Sequence, residues 1–318
     1  MNEENRCEIR IGISSCLLGE KVRYDGNHKH DHYITGTLGN VFRFVPYCPE
    51  VAIGLGVPRE PIRLEGDPHA PHAIGVCDKS IDVTIALTGY GRKVVNDSQE
   101  ICGFIFKSGS PSCGMERVKV YRAHGVPLPG RGLFAAALME GLPLLPVEEE
   151  GRLGDPVLRE NFLERVFAYH RWQQLTRQPL TAHGLIDFHT RHKLIVMAHS
   201  TEAYRTLGRL IANAGRTPLA ELSETYISGF MAALKHHATA KRHTNVLHHL
   251  AGYLKKQLDS ADKAELLEII EQYRQGCLPL IVPVTLLRHH FRRHPHPYVA
   301  EQLYLEALPQ ELMLRTQS

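Results

Sequence analysis

Apolar positions come in short runs in the first half of the chain and recur at helical spacing in the second. Residues 8–14 (EIRIGIS), 41–47 (VFRFVPY), 81–87 (IDVTIAL) and 103–107 (GFIFK) read as strands. Helical stretches follow several of them, 130–139 most clearly, and 142–147 (LPLLPV) closes the series. Strands alternating with helices predict an α/β domain over residues 1–147, Rossmann-like, with a mostly parallel sheet in three layers. Residues 148–156 (EEEGRLGDP) are acidic and aperiodic, and read as a linker. Asp155-Pro156 then suits an N-cap followed by proline at the first helical position.

From that point to the end the pattern is helical. Helices are predicted over 156–176, 187–214, 218–237, 244–256, 262–275 and 284–293, with a last one over 298–308. Residues 157–318 therefore read as a separate all-α domain. There is no internal repeat and no low-complexity tract.

Composition agrees with two packed domains: 43% of residues are apolar and 22% charged, which excludes a disordered chain or a disulfide miniprotein. No apolar run approaches the ~20 residues that span a bilayer. The longest, 133–147, is interrupted by Glu140, Gly141, Pro143 and Pro146. The polar, acidic start fits neither a signal peptide nor an Arg-rich transit peptide, so the expectation is a cytoplasmic protein with no membrane partner. The net charge of +3 is unevenly divided. Residues 1–150 carry 16 Lys and Arg against 19 Asp and Glu, whereas residues 151–318 carry 21 against 15 and 14 of the 20 histidines. A polyanion partner for the second half follows from that asymmetry.

Six of the seven cysteines fall within the first 113 residues. Three sit in distinctive loops: Ser14-Ser15-Cys16-Leu17-Leu18-Gly19, then Tyr47-Cys48-Pro49-Glu50, then Ser108-Gly109-Ser110-Pro111-Ser112-Cys113-Gly114. Each lies just past the C-terminal end of a predicted strand, the edge where open parallel sheets bind ligands. Three thiolates meeting there suit an iron–sulfur cluster; zinc would want a fourth ligand or a catalytic water. Pro and Gly also make turns everywhere, so loop punctuation stays open as an explanation.

SSCLLG with VRYDG (residues 22–26), CPE with GVPREPIRL (residues 56–64), and SPSCG occur in that order across residues 8–147. This combination resembles the thiouracil desulfidase (TudS-like) family. From Phe188 (FHTRHKLIVMAHS) onward the chain resembles the YbgA-type helical domain, and the fusion resembles the RudS-type desulfidases that act on 4-thiouridine in tRNA. The resemblance implies a [4Fe–4S] cluster held by Cys16, Cys48 and Cys113, and a tRNA partner. Cys7, Cys77, Cys102 and Cys277 lie outside the motifs and read as structural, with Cys77 the one to check because it sits in the same domain near a strand start.

An open iron would polarise a thiocarbonyl, and water attack at the ring carbon then needs a general base. Glu50, two residues after Cys48, is the candidate. Ser110 would donate to the ring as charge develops, with Ser112 its rival; either is equally a turn-capping serine. Arg23, Tyr24 and Asp25 offer a cation, a ring and a carboxylate for gripping a base, while Asp25-Gly26 is also a good turn. Arg63 reads as structural, and Arg59 and Glu60 are open.

Residues 235–256 hold five Lys or Arg and five His without one acidic side chain, and 288–294 form a second basic cluster. Lys235, Lys241, Arg242, Lys255, Lys256, Arg288, Arg292 and Arg293 are the candidates for RNA phosphates; a solvated surface is the plain alternative. His189, His192 and His199 fall near one helix face, without any HExxH-like metal motif. Three functions stand in order: a tRNA 4-thiouridine desulfidase, a desulfidase of free thiouracil or thionucleosides, and an iron–sulfur RNA-binding or redox-sensing protein without turnover.

Overall fold

The computed structural model describes residues 9–97 and 100–306. It divides into two units, the first running to Asp155 and the second starting at Pro156. The first unit contains strands β1 (Arg10–Ser14), β2 (Arg43–Tyr47), β3 (Ile62–Asp67), β4 (Ala70–Gly75), β5 (Ile101–Phe106), β6 (Val118–Tyr121), β7 (Leu128–Gly130) and β8 (Val147–Glu149). Its helices are α1 (Pro49–Ala52), α2 (Thr84–Asp97) and α3 (Leu133–Gly141).

One sheet has the order β2-β1-β5-β8, and all its pairings are parallel. β5 is buried at every position, as expected of an inner strand covered on both faces. The α/β reading of this domain holds. A second sheet, β4-β3-β6-β7, was not foreseen; only its β3–β6 pairing is parallel. α2 and α3 serve both sheets. Phe134 of α3 packs on Phe104 of β5 and stacks with Tyr90 of α2, while Leu87 and Leu133 join Leu64, Val118 and Val120 of the second sheet. Gly91 lets the two helices meet, since a Cβ there would lie 2.7 Å from that of Ala137.

Three sequence expectations are corrected in and just after this unit. Residues 81–87 are not a strand: Asp82 takes the backbone N–H of Thr84 at 2.9 Å and starts α2, leaving a single β-bridge to Ile74. Residues 148–156 are not a free linker. Glu148 and Glu149 are buried in β8, and Glu150–Gly154 form a 3-10 turn of the first unit. The acidic side chains have fixed partners, because Glu149 takes the N–H of Met115 at 2.8 Å and Arg152 bonds Glu148 at 2.6 Å. Residues 187–214 form two helices, because Ser200 leaves the helical region and caps the second through Ala203.

The second unit is helical, with α4 (Pro156–Thr176), α5 (Ala182–His199), α6 (Thr201–Ala212), α7 (Leu219–Leu234), α8 (Ala240–Leu254), α9 (Ser260–Arg274), α10 (Ile281–Arg293) and α11 (Pro297–Ala300). Residues 303–305 make a 3-10 turn where a helix over 298–308 was expected, and 307–308 lie outside the described residues. Its core centres on Trp172, Phe188, Tyr226 and Phe230. Among the described residues no helix is long and apolar enough to cross a membrane.

Candidate active site

Four parallel strands end at one edge of the first sheet, and the loops that follow β1, β2 and β5 enclose a pocket of about 210 Å³. The chain leaves β1 to build β2 on one side and later β5 on the other, so the pocket opens where the strand order reverses. Cys16, Cys48 and Cys113 all line it, as do Glu50, Arg59 and Lys107. Three thiols separated by up to 97 positions thus share one cavity. Among the described residues no His, Cys, Asp or Glu trio closes on a single metal ion.

Each cysteine is placed by its own local device. Cys16 sits in the 3-10 turn Ser15–Leu18, closed by Gly19 at φ 92°, a conformation that only glycine adopts without cost. Cys48 precedes α1, whose start is fixed by Pro49. Cys113 lies in a turn held by Ser110, whose Oγ accepts the N–H of Ser112 at 3.2 Å and of Cys113 at 3.1 Å. Gly114 completes that turn, because a Cβ would lie 2.9 Å from the Ser110 carbonyl and 2.3 Å from Val118. Burial pushes all three thiols up, Cys16 to about 11 despite the nearby Lys107 ammonium; Cys113 also bonds Ser14 and feels the other two thiols.

Glu50 lies in the first turn of α1 and has two partners. Arg59 donates Nε–H to Oε2 at 2.8 Å and sets Nη2 2.7 Å from the same oxygen in an ion pair, and Ser112 donates its hydroxyl to Oε1 at 2.7 Å. Ser112 is fully buried behind the pocket and does not line it, whereas Ser110 does. Both lone pairs of Ser110 Oγ are filled by backbone N–H groups, so its own O–H remains the group it offers. Arg23 and Tyr24 line the pocket, with the guanidinium 5.5 Å from the Tyr24 ring centre and Arg23 Nε buried without a hydrogen bond. Asp25 does not line it; its carboxylate accepts Asn27 N–H at 3.1 Å and lies 3.5 Å from Arg23 Nε.

Two further participants stand out: Arg59, whose role the sequence leaves open, and Lys107, to which it assigns none. Arg59 reaches Glu50 because Gly54 and Gly56, at φ 90° and 72°, turn the chain back after α1. The spacing of those glycines before Pro58-Arg59 was the available hint. Lys107 is held by Glu150 and by the Ser108 carbonyl at 2.9 Å, and the same Glu150 fixes Ser108 N–H at 2.7 Å. Glu60 and Arg63 do not line the pocket. Glu60 bonds the N–H groups of Cys77 and Asp78, and Arg63 pairs with Glu65 at 2.7 Å. Cys77 and Cys277 are exposed, Cys102 is buried in β5, and Cys7 lies outside the described residues.

In the second unit, Lys235, Lys241, Lys255, Lys256, Arg292 and Arg293 are exposed, with Arg242 and Arg288 half-buried. Arg242 bonds the His237 carbonyl at 3.1 Å. The three histidines of α5 do not form a metal site. His192 Nδ1 bonds the Phe188 carbonyl at 2.7 Å, His189 faces Tyr226, and His199 is locked between Glu164 and the His236 carbonyl.

A family model described as 2-thiouracil desulfurase matches residues 11–150, and one described as a protein of unknown function, DUF1722, matches residues 193–309. The uncharacterized protein YbgA of Escherichia coli K12 is 34% identical over 157 residues, covering 49% of this chain and 93% of that protein. The uncharacterized protein YbbK of Bacillus subtilis 168 is 32% identical over 136 residues, 41% of this chain and 89% of that protein. A solved structure of the [4Fe–4S]-dependent thiouracil desulfidase TudS is 32% identical, covers 48% of this chain and 97% of its own, and has a TM-score of 0.37. This chain belongs to the 2-thiouracil desulfurase family through its first unit, a desulfidase domain, and to the DUF1722, or YbgA-type, family through its second.

Proposed function

We propose that this protein is a non-redox, iron–sulfur-dependent desulfidase that converts 4-thiouridine in tRNA to uridine and releases hydrosulfide. The observation that carries the reading is the sharing of one pocket by Cys16, Cys48, Cys113 and Glu50. The donor set fits a [4Fe–4S] cluster. A cluster takes each thiolate at a different iron, so thiols spread around one cavity suit it better than a single ion, for which they do not converge. Burial also makes three bare thiolates costly, and a cationic iron–sulfur core supplies the missing positive charge. Bound by these three cysteines, such a cluster keeps one iron without a protein ligand, a Lewis acid for a thiocarbonyl sulfur.

The chain's own residues supply the rest. Glu50 takes a proton from a water whose oxygen bonds to the thiocarbonyl carbon; the carbon–sulfur bond breaks, and the sulfur departs with its electron pair and the second proton. Ser110 donates its O–H to the pyrimidine as negative charge develops on the ring. Arg23 and Tyr24 hold the base at the pocket wall. A base stacked in an RNA helix could not reach a pocket of about 210 Å³ enclosed by three loops, so it would be extruded to enter. The exposed cations of residues 235–256 and 288–293 bind phosphates of the tRNA, with little sequence preference and strong salt dependence.

Anaerobic protein with a reconstituted cluster, given 4-thiouridine-containing tRNA, free 4-thiouridine and thiouracil, tests this by loss of the thiocarbonyl absorbance. Turnover of tRNA is expected. Turnover of the free base alone would keep the chemistry and remove the RNA role; no turnover by cluster-loaded protein would favour a binding or sensing protein.

A further inference from the structure

A carboxylate offers about four lone-pair directions, and the chain itself covers most of those on Glu50. Oε2 accepts Arg59 Nε–H at 2.8 Å and stands 2.7 Å from Nη2 in an ion pair, and Oε1 accepts the Ser112 hydroxyl at 2.7 Å. The clamp is itself anchored. Arg59 spends Nη1 on the Gly56 carbonyl at 2.9 Å, its backbone N–H bonds the Tyr24 carbonyl at 2.9 Å, and its side chain is 5% exposed. Ser112 is 0% exposed, and its backbone is tied to Ser110 and to α3. The Arg59 guanidinium thus covers Oε2, while Oε1 keeps an acceptor direction beside its bond from Ser112.

We propose that Arg59 is the positioning residue of the desulfidase reaction: with Ser112 as second tether, it fixes Glu50 so that a single lone pair of Oε1 meets the attacking water. This rests on the reading that Glu50 takes the water's proton. An unclamped carboxylate turns about its last bond and presents four directions, whereas the clamped one presents the same atom at every turnover. The guanidinium covers Oε2 with two nitrogens at once, which the single ammonium of lysine cannot do. The three Arg59 nitrogens are engaged by Glu50 and the Gly56 carbonyl and Ser112 lies behind the pocket, so on this reading their removal lowers the rate and not the binding of substrate.

The test uses the full chain with its cluster reconstituted, acting on whichever of thiouracil or 4-thiouridine-containing tRNA the wild type turns over. Arg59→Ala is expected to lower kcat about 10²-fold with KM within about twofold, and Arg59→Lys to recover less than about tenfold of that. Ser112→Ala loses about tenfold. Guanidinium ion at millimolar concentration restores about tenfold to Arg59→Ala and nothing to Glu50→Gln. Iron content and visible absorbance stay at the wild-type level in all four variants, the readout independent of turnover. Full activity in Arg59→Lys, a KM rise at constant kcat, absent guanidinium rescue, or iron lost from Arg59→Ala would each overturn the positioning role. If Glu50→Gln is inactive while the Arg59 variants are normal, positioning alone fails; if Glu50→Gln keeps its turnover, the base assignment fails with it.

Discussion

The pocket of the first unit and the basic stretch of the second place their polar groups in opposite ways. In the pocket, groups from Ser14 to Glu150 are gathered by four strand ends, are largely buried, and are held by named partners: Glu50 by Arg59 and Ser112, Lys107 by Glu150, Cys113 by Ser14. Along residues 235–256 the cations are neighbours in sequence and mostly exposed, and among the described residues only the Arg242 side chain is fixed by a hydrogen bond, to a backbone carbonyl. The first arrangement fixes atoms to within fractions of an ångström, which bond making requires. The second makes a field, which a flexible polyanion can meet in many registers. Loss of one atom should therefore cripple the first, and loss of one charge should only weaken the second.

The sharpest break of that contrast is Cys113→Ala. The thiol is buried in a turn whose backbone bonds do not involve its sulfur, so the fold should persist while one of three cluster ligands is gone. Turnover is expected to fall to background and iron content to drop, with far-UV circular dichroism unchanged. Wild-type iron content in Cys113→Ala would sink the three-cysteine assignment.

Removal of charge should act in small, additive steps. Lys241→Glu, Lys255→Glu and Lys256→Glu are each expected to weaken tRNA binding by about threefold to tenfold at moderate salt. Each lost phosphate contact should also reduce the slope of log affinity against log salt by about 1. Turnover of free thiouracil should be untouched. A triple variant with unaltered salt slope would make the stretch an ordinary solvated surface.

The same contrast explains what was legible in the sequence. β1, β2 and β5 announced themselves as apolar runs, and the three cysteines were visible because each follows such a run. The second sheet was not, because β7 is three residues with a proline at its centre and β3 alternates Ile62 and Leu64 with Arg63 and Glu65 before ending on Gly66-Asp67. Residues 81–87 alternate like a strand, yet Asp82 caps a helix that runs on to Asp97; tertiary packing of Leu87 overrode the local pattern. The acidic residues 148–150 looked like a linker because charge usually means solvent, whereas here the Glu149 and Glu150 carboxylates serve the backbone of loops that precede them by more than thirty positions. Arg59 was undecidable for the same reason: its role is its partner, and the turn at Gly54 and Gly56 that brings them together is a property of φ angles, not of composition. The basic stretch needed no fold to be seen.

The buried histidines of α5 give the smallest expected effect and the most detailed one. Burial lowers His189 to about 4 and His192 to about 3, so both are neutral in the folded unit near neutral pH. Burial opposes charging His199 too, but the Glu164 carboxylate at 2.7 Å and the His236 carbonyl outweigh it and raise its pKa. The signs are opposite. For His189 and His192 the unfolded chain binds the proton first, so their contribution is complete above the ordinary histidine value of ~6.5 and is lost as pH falls toward 4 and 3. For His199 the folded state holds the proton longer, so its contribution is complete below ~6.5 and is lost as pH rises through its raised value. These three groups together place a stability maximum for the second unit near pH ~6.5, falling by up to about 1.4 kcal/mol per pH unit for each titrating group. Trp172, the one tryptophan of the chain, is packed in that unit's core against Phe188, so its fluorescence in denaturant reports this unit alone. His189→Gln should flatten the acid side of the profile by about one proton and leave the alkaline side as it was. His199→Gln should do the reverse, and an alkaline side unchanged by that substitution would mean that Glu164 does not hold His199 in its charged form.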